Sequence, residues 1–544
     1  MKIALAQLNY HIGNFEVNTH KIIDAIAQAR QQGADLVVFA ELSVCGYPPR
    51  DLLELDSFME QCEVAAQQIA EASKGIACIV GLPTRNPEIK GKDLYNSAYF
   101  MEDGKIKAQI NKALLPNYDV FDEYRYFEPS VSTSCIDFKG HKIALTICED
   151  LWNVNDNPLY VAEPMEQLSK EQPDLMINIA ASPFAYNHDE ERLQVLGDNC
   201  RKYQLPLFYV NQIGAQTEII FDGGSLVFNE KGEVLDELPY FSEAIRYYEF
   251  EGKLVKGLQV QNLERQTDIE QIHQALILGI RDYFQKSGFS KAILGLSGGI
   301  DSAVVCTLAA EALGSENVIA VLMPSEYSTD HSIKDAMDLV QNLGCKHEII
   351  PIKAAAKTFD EMLKPVFKDL PFNIAEENIQ SRSRAIVVMA MSNKFGYILL
   401  NTSNKSECAV GYGTLYGDMA GAISVLGDVY KTQVFQLAHY INREKEIIPI
   451  NSILKPPSAE LRPGQKDSDS LPEYDLLDQI LHQYIELKKG PDAIISQGFD
   501  EALVRKTIKM VNAAEFKRYQ TPPILRVSPK AFGMGRRMPI VGKY

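Results

Sequence analysis

Glu41, Lys112 and Cys148 are residues whose types could together perform nucleophilic catalysis. Each lies at or just after the end of a predicted strand, in the segments VVFAELSVCGYPP, INKALLPNYDVFDEYRYF and IALTICEDLW. A cysteine nucleophile needs a base that takes its proton and a donor that stabilises the oxyanion of a tetrahedral intermediate. Glu41 could be the base, and Lys112 could be the cation. Each residue type alone is more often structural, so the prediction depends on their combination.

A second candidate site follows the predicted strand KAILGL, where SGGIDS occupies residues 297–302. Ser297, Gly298 and Gly299 allow a sharp turn that directs amide donors and a helix N-terminus at an anion. Asp301 would stand at the mouth of this loop, where a carboxylate can hold Mg²⁺. The sequence lacks the GxxxxGK[ST] order of a Walker A loop. It therefore predicts a phosphate-binding loop of another class.

The first half of the chain, residues 1 to about 250, must position the cysteine and its partners. Short β-rich runs dominate it, and amphipathic helical stretches such as 16–32, 57–73 and 189–203 lie between some of them. This mixture predicts an α/β unit with a large sheet content. Residues 251–267 are mostly polar and predict a linker.

In the second half, residues 268–544, strands and helices alternate. Strand 291–297, helix 301–313 and strand 317–324 begin a series that continues to strand 396–402. Such alternation predicts a doubly wound parallel sheet with ligands at the carboxyl ends of its strands. The segment 456–475 is polar and contains several Pro and Gly residues, which predicts a surface loop.

Length, charge and cysteine content exclude several classes of protein. The chain has 544 residues, so we expect at least two domains. Its formal net charge of −18 disfavours binding to nucleic acid. No apolar stretch reaches 18 residues, so no transmembrane helix is predicted. Nine scattered cysteines without a CxxC pair indicate reduced thiols, as in a cytoplasmic protein.

The C-terminal motifs resemble those of the N-type ATP pyrophosphatase family, whose members cleave ATP between its α and β phosphates to adenylylate a substrate oxygen. Within this family, ENIQSRSR, NTSNKSE, KTQV and EFKRYQTPP are similar to segments of the NAD synthetases. The resemblance implies a Rossmann-like domain that uses ATP and Mg²⁺. Its substrate would be nicotinic acid adenine dinucleotide, whose carboxylate is activated for attack by ammonia.

The same resemblance implies roles for individual residues. The dinucleotide would contact Asn378, Arg382, Glu407 and Lys517, and Mg²⁺ would be held by Asp301 and Glu407. ATP would contact Gly295, Leu296, Ser297, Gly298, Gly299, Ile300, Asp301, Ser302, Met323 and Thr402.

The N-terminal motifs resemble the nitrilase superfamily, which implies a four-layer α-β-β-α sandwich. Glu41, Lys112 and Cys148 match its catalytic triad, and Glu123 matches a second active-site glutamate. CEDLW and NIAASPFAYNHDEER are further similar to the glutaminase domains of two-domain NAD synthetases. On that match, L-glutamine would contact Tyr118, Glu149, Trp152, Ser182 and His188, of which His188 stands where a Lys or Arg is expected.

Together, the resemblances predict an enzyme that amidates the dinucleotide to NAD⁺ with ammonia from glutamine, giving AMP, pyrophosphate and glutamate. Because ammonia is mostly protonated in neutral water, we expect an enclosed ammonia path, and we also expect a homo-oligomer. Two alternatives remain open. One is another glutamine-dependent amidating or thiolating enzyme of the same ATP family. The other is a nitrilase-like domain that serves only as a scaffold for an ammonia-dependent synthetase.

Overall fold

The computed structural model describes residues 1–88, 90–154, 159–263 and 265–542. Contacts divide the chain into an N-terminal unit, Met1–Arg265, and a C-terminal unit, Gln266–Tyr544. Glu264, in the predicted linker, lies outside the described residues. Among the helices of the described ranges, none is long and apolar enough to cross a membrane.

The N-terminal unit alternates short strands with four α-helices over the part of it that the structure describes. In chain order its elements are β1 (Lys2–Gln7), α1 (Phe15–Gln31), β2 (Leu36–Val38), α2 (Asp56–Ala72), β3 (Ala77–Arg85), β4 (Leu94–Glu102), β5 (Lys105–Asn111), β6 (Ile136–Phe138), β7 (His141–Ile147), α3 (Pro164–Ser169), β8 (Leu175–Ala180), α4 (His188–Tyr203), β9 (Leu207–Asn211), β10 (Ile213–Gln216), β11 (Ile219–Asp222), β12 (Leu226–Phe228), β13 (Val234–Glu237), β14 (Ala244–Glu251) and β15 (Leu254–Lys256). Strand β15 falls within the predicted linker.

Two large sheets form the middle of the N-terminal unit. One has the order β15-β14-β1-β2-β3-β4-β5 and the other β13-β12-β9-β8-β7-β6, while β10 and β11 form a hairpin. Apolar side chains of both sheets, such as Leu5, Val38, Leu145 and Ile177, share one core. Helices α1 and α2 pack on the first sheet, and α3 and α4 pack on the second. The unit is therefore a four-layer α-β-β-α sandwich, in agreement with the predicted fold class.

The C-terminal unit is built around a smaller sheet. Its elements are α5 (Asp268–Ser287), β16 (Ala292–Gly295), α6 (Ile300–Leu313), β17 (Val318–Leu322), α7 (Asp330–Leu343), β18 (Lys346–Ile349), α8 (Lys353–Phe367), α9 (Ile374–Phe395), β19 (Ile398–Asn401), α10 (Lys405–Val410), β20 (Ile423–Ser424), α11 (Lys431–Ile441), α12 (Ile450–Leu454), α13 (Tyr474–Ile485), α14 (Pro491–Ile495), α15 (Glu501–Ala513) and α16 (Glu515–Arg518).

All strand pairs of this sheet are parallel, and their order is β18-β17-β16-β19-β20. The order reverses direction between β16 and β19, and such a switch point leaves a crevice at the carboxyl ends of the strands. Among the predicted ATP-binding residues, Gly295 ends β16 and residues 296–302 follow it, Thr402 follows β19, and Met323 follows the neighbouring strand β17. Helix α6 is apolar on nearly all sides and is buried against the sheet, as its sequence AVVCTLAA requires.

Candidate active sites

Glu41, Lys112 and Glu123 form one buried ionic cluster in the N-terminal unit. Lys112 Nζ lies 2.7 Å from Glu41 Oε1 and 2.9 Å from both carboxylate oxygens of Glu123. All three side chains are at most 5% exposed. Since Lys112 directly follows β5 and Glu41 follows β2, two strands of the same sheet bring them together. The predicted proximity of these residues is thus present in the structure.

Cys148 directly follows β7 of the other sheet and occupies a sharp turn. Its φ of 43° is in the left-handed region, which costs a non-glycine residue about 1 kcal/mol or more. Asp150 holds this turn by accepting the backbone N–H of Ile147 at 3.0 Å. The same carboxylate accepts the N–H groups of Ala113 and Leu114 at 3.0 and 2.9 Å. Asp150 therefore ties the cysteine turn to the segment that follows Lys112.

Burial and neighbouring charges set the protonation of this site. Burial and the charge of Glu41 raise the pKa of the Cys148 thiol well above its usual value, and Lys112 opposes this only in part. Burial also raises the pKa of Glu123 to about 7, against the effect of Lys112. For Lys112, burial acts downward, but the carboxylates of Glu123 and Glu41 raise its pKa well above the usual value. The resting site thus holds a protonated thiol and a charged lysine.

Two residues of this site were not found from the sequence. Asn96 Nδ2 donates to Glu41 Oε1 at 2.7 Å, and the Tyr47 hydroxyl donates to Glu123 Oε1 at 2.8 Å. The other oxygen of Glu41 accepts the backbone N–H of Ala181 at 2.9 Å. Neither YNSAYF nor GYPP carries a pattern that distinguishes these side chains from ordinary core polar residues.

We expect Lys112→Met to lose glutamine hydrolysis by at least about 1,000-fold, since it removes the cation that would face the oxyanion. The variant also leaves two buried carboxylates without their cation, which should lower the free energy of unfolding by about 3 to 5 kcal/mol. Denaturant unfolding measures this loss. The loss should be smaller at pH 7 than at higher pH, because without Lys112 the pKa of Glu123 lies above its wild-type value of about 7 and the variant protonates this buried carboxyl at a higher pH than the wild-type protein does.

The matched control is Lys107→Met on β5, five residues earlier, where the side chain is exposed. It should change the free energy of unfolding by less than about 0.5 kcal/mol. Equal losses in both variants would contradict the role of the Lys112 charge.

The predicted glutamine-binding residues lie around the cysteine turn. The hydroxyls of Tyr118 and Tyr160 each donate to Glu149 Oε1 at 3.0 Å. Burial raises the pKa of Glu149, while Lys112 and the two tyrosines oppose the shift. Tyr160 was not predicted from the sequence.

The other three residues predicted to contact glutamine are Trp152, His188 and Ser182, and the first two contact each other. The rings of Trp152 and His188 meet edge to face with centroids 5.2 Å apart. Ser182 is buried, and its backbone N–H donates to Asn211 Oδ1 at 2.9 Å.

The C-terminal unit contains a cavity of about 310 Å³ at the switch point of its sheet. Within the described residues, its lining includes every predicted ATP-binding residue except Gly298. Glu407, Lys431 and Asp467 also line it, together with residues 456–461. The segment 456–475, predicted as a surface loop, thus forms part of the cavity wall, and Leu461 is buried there.

The SGGIDS segment forms a tight loop that ends in helix α6. Ser297 Oγ accepts the N–H of Gly299 at 3.1 Å, and Ser302 Oγ donates to the carbonyl of Gly299 at 3.0 Å. Gly298 has a φ of 78°, and a Cβ atom there would lie 2.1 Å from the carbonyl oxygen of Ser332. Only glycine allows this turn and this approach together.

We expect Gly298→Ala to reduce NAD⁺ formation by at least about ten-fold, through a higher KM for ATP, because the loop must move away from Ser332. Steady-state kinetics with ammonia as the nitrogen donor measures this. Gly288→Ala is the control, since Gly288 has a φ of 75° but no atom within 4 Å of an added Cβ. It should cost about 1 kcal/mol in stability and leave KM unchanged. Similar kinetics in both variants would contradict the expectation.

Asp301 and Glu407, the predicted Mg²⁺ ligands, both face Lys431. Asp301 Oδ2 lies 2.5 Å and Glu407 Oε1 3.6 Å from Lys431 Nζ. Burial and the charge of Asp301 raise the pKa of Glu407 to about 8, with Lys431 opposing. Lys431 therefore offsets only part of the negative charge of Asp301 and Glu407. Lys431 is the first residue of the segment KTQV, and nothing in that segment predicts its place beside both carboxylates.

This donor set fits Mg²⁺. The carboxylates of Asp301 and Glu407 both lie beside Lys431 Nζ in the cavity lining, and Mg²⁺ in nucleotide enzymes is commonly held by one or two carboxylates plus phosphate oxygens and water. Among the described residues, no group of three or more His, Cys, Asp or Glu side chains is arranged to hold a metal.

Three predicted dinucleotide-binding residues contact one segment, Gly411–Leu415. Lys517 Nζ donates to the carbonyls of Gly411 and Gly413, both at 2.8 Å. Arg382 Nε donates to the carbonyl of Leu415 at 3.1 Å, and Asn378 Oδ1 accepts from the hydroxyl of Thr414 at 2.7 Å. Within the described ranges, none of the three lines the cavity, which the fourth predicted residue, Glu407, does line.

Comparison with known proteins assigns a family to each unit and to the whole chain. A carbon-nitrogen hydrolase model matches residues 2–257, and an NAD synthase model matches residues 272–521. The glutamine-dependent NAD(+) synthetase of Synechocystis is 48% identical over 99% of this chain and 98% of its own. The chain belongs to the glutamine-dependent NAD(+) synthetases. The predicted family is therefore confirmed.

Other members of this family agree in sequence and in fold. The glutamine-dependent NAD(+) synthetase of Acinetobacter baylyi is 43% identical over 99% of this chain and 98% of its own. The solved glutamine-dependent NAD⁺ synthetase of Acinetobacter baumannii, in complex with ADP, is 40% identical, covers 99% of this chain and 98% of its own, and has a TM-score of 0.79. The one from Cytophaga hutchinsonii is 21% identical with a TM-score of 0.83 over 100% of this chain and 98% of its own, and supports the fold.

Proposed function

We propose that this chain amidates nicotinic acid adenine dinucleotide to NAD⁺, with ATP as the activating substrate and L-glutamine as the source of nitrogen. One observation carries the proposal. The chain combines a buried Glu–Lys–Glu cluster beside a cysteine turn in one unit with a phosphate loop and paired carboxylates in the other. Family membership supports the same activity.

In the N-terminal unit, Cys148 is the nucleophile and Glu41 the base. Because the resting thiol is protonated, its proton passes to Glu41 as sulfur attacks the carboxamide carbon of glutamine. Lys112 stabilises the oxyanion. The C–N bond then breaks, and Glu41 returns the proton to the departing ammonia. Water hydrolyses the thioester to glutamate, with Glu123 and Tyr47 holding Lys112 in place.

We assign recognition of glutamine to the groups around the cysteine turn. The Glu149 carboxylate, held by Tyr118 and Tyr160, suits the α-ammonium group of glutamine. We assign Ser182, Trp152 and His188 to the same glutamine-binding site.

In the C-terminal unit, the loop 297–299 and the N-terminus of α6 bind the phosphates of ATP. Mg²⁺, when bound at Asp301 and Glu407, offsets the charge between ATP and the substrate carboxylate. Lys431 adds positive charge at the same place. The substrate oxygen attacks the α phosphorus and pyrophosphate leaves. Ammonia then attacks the acyl carbon and AMP leaves, while Asn378, Arg382 and Lys517 shape the binding segment for the dinucleotide.

The test is a mass-spectrometric assay with Mg-ATP, the dinucleotide and glutamine labelled with ¹⁵N in its amide, in the presence of unlabelled ammonium. Labelled NAD⁺ and AMP in equal amounts are expected, and mostly labelled product supports an enclosed ammonia path. Absence of NAD⁺ even with ammonium supplied would show that the acceptor is another molecule. Product that carries only unlabelled nitrogen would instead favour the scaffold alternative for the N-terminal unit.

We also propose that the protein is a homo-oligomer. Helices α8 and α9 expose several large apolar side chains, including Met362, Val366, Ile386 and Met389. These two helices contact each other, and exposed large apolar side chains on neighbouring helices are typical of an interface with another protein. Light scattering should give a mass of two or more chains, and Met362→Glu with Val366→Glu should reduce it. A monomeric wild-type protein would contradict this proposal.

A further inference from the structure

Asn96 occupies a central position in the ionic cluster of the N-terminal unit. It lies on β4 and is 1% exposed. Its Nδ2 donates to Glu41 Oε1 at 2.7 Å and to Glu123 Oε2 at 3.4 Å. Its backbone carbonyl accepts the N–H of Lys112 at 2.8 Å. This one residue therefore bonds to all three charged members of the cluster.

The other polar atom of the Asn96 side chain gains no hydrogen bond. Within the described part of the chain, Asn96 Oδ1 is buried and has no hydrogen-bond partner. A buried acceptor without a partner is unfavourable, so the donors that the NH₂ group gives to the two carboxylates are what an asparagine provides here. The amide orientation is fixed, because only the NH₂ group can donate to two carboxylates.

We propose that Asn96 is a positioning residue for glutamine hydrolysis, which fixes the Glu41 carboxylate as the base and separates its role from that of Glu123. This inference depends on the proposed function of the N-terminal unit. Both carboxylates bond to one ammonium group, so they compete for the same charge. The amide of Asn96 donates at shorter distance to Glu41 than to Glu123. It thereby holds the Glu41 carboxylate in place beside Lys112, while Glu123 is the carboxyl group whose pKa burial raises to about 7.

The expected effect of Asn96→Ala is a fall in kcat for glutamine hydrolysis of about 10- to 100-fold, the usual value of hydrogen bonds to a charged group. KM for glutamine should change little. Loss of a donor to the two carboxylates should move the acid limb of the pH–rate profile to higher pH by about one unit, because a hydrogen bond to a carboxylate favours its ionised form. Asn96→Asp, which has the same shape but adds a carboxylate, should move it further.

The matched control is Ser97→Ala on the same strand. Ser97 is equally buried, but its hydroxyl bonds to Thr84 and Asn111, both at 2.7 Å, and not to the charged cluster. Neighbouring strand residues face opposite sides of a sheet. Ser97→Ala therefore removes a buried polar group from β4 and leaves the hydrogen bonds to Glu41 and Glu123 unchanged. Its kcat and acid limb should equal those of the wild-type protein.

Ammonia release from glutamine is measured from pH 5 to 9 for the full-length wild-type protein and the three variants, together with thermal unfolding. A wild-type protein that releases no ammonia overturns the proposed function of this unit. An active wild-type protein with an unshifted acid limb in Asn96→Ala and Asn96→Asp overturns only the role of Asn96. A parallel fall in melting temperature and activity in both variants assigns Asn96 to the core and also overturns it.

Discussion

Cys148→Ala should lower glutamine-supported NAD⁺ formation by at least about 10,000-fold and leave ammonia-supported formation within about two-fold of the wild-type rate. The reason is that glutamine hydrolysis is proposed for the N-terminal unit and amidation of the dinucleotide for the C-terminal unit. The alanine variant has no nucleophile, whereas all residues proposed to bind ATP and the dinucleotide lie after residue 294. The measurement is NAD⁺ production with glutamine or ammonium as the only nitrogen donor.

Cys200→Ala is the matched control for this prediction. Cys200 is fully buried on α4 in the same hydrophobic core, and burial raises the pKa of its thiol. Among the described residues, the hydrogen bonds of the Glu41–Lys112–Glu123 cluster do not involve Cys200. The variant should therefore keep glutamine-supported activity while losing about 1 kcal/mol of stability. Activity that survives in Cys148→Ala, or disappears equally in Cys200→Ala, would contradict the assignment of the nucleophile.

Asp301→Asn should give the converse result. We expect both ammonia- and glutamine-supported NAD⁺ formation to fall by at least about 100-fold, because one of two carboxylates that attract Mg²⁺ and Lys431 becomes neutral. Ammonia release from glutamine should still be measurable, since Cys148 and its partners are unchanged. The loss should be partly relieved by raised Mg²⁺, because Glu407 remains as a ligand. Titration of activity with Mg²⁺ measures this shift.

Asp330→Asn is the control for the loss of a carboxylate in the first turn of a helix. Asp301 and Asp330 occupy the first turns of α6 and α7, so each loses a similar interaction with the helix dipole, about 0.3 to 1 kcal/mol. Asp330 is exposed and does not line the cavity within the described residues. Its variant should keep wild-type kinetics. An unchanged Mg²⁺ requirement in Asp301→Asn would show that this carboxylate does not hold the metal.

The sequence by itself determined the chemistry and the fold class. Cys148 and Glu41 each follow a strand whose apolar run is evident in the sequence, and SGGIDS lies between a strand and a helix. Lys112 follows the mostly polar strand KIKAQIN. These signals are local, since strand periodicity, glycine turns and helix starts depend on residues within a few positions. They were therefore predictable, as were the α/β architecture of both units and the parallel sheet of the second.

Only the tertiary structure decided which distant side chains complete each site. Asn96 reaches Glu41 from 55 residues away in the sequence, and Lys431 reaches Asp301 from 130 residues away. Such contacts depend on the order and register of strands and on the packing of helices, which no local pattern specifies. The dependence on long-range contacts also explains why the prediction for segment 456–475 was incomplete. Its polar sequence predicts a surface loop, but long-range packing buries Leu461 and places the segment in the cavity wall.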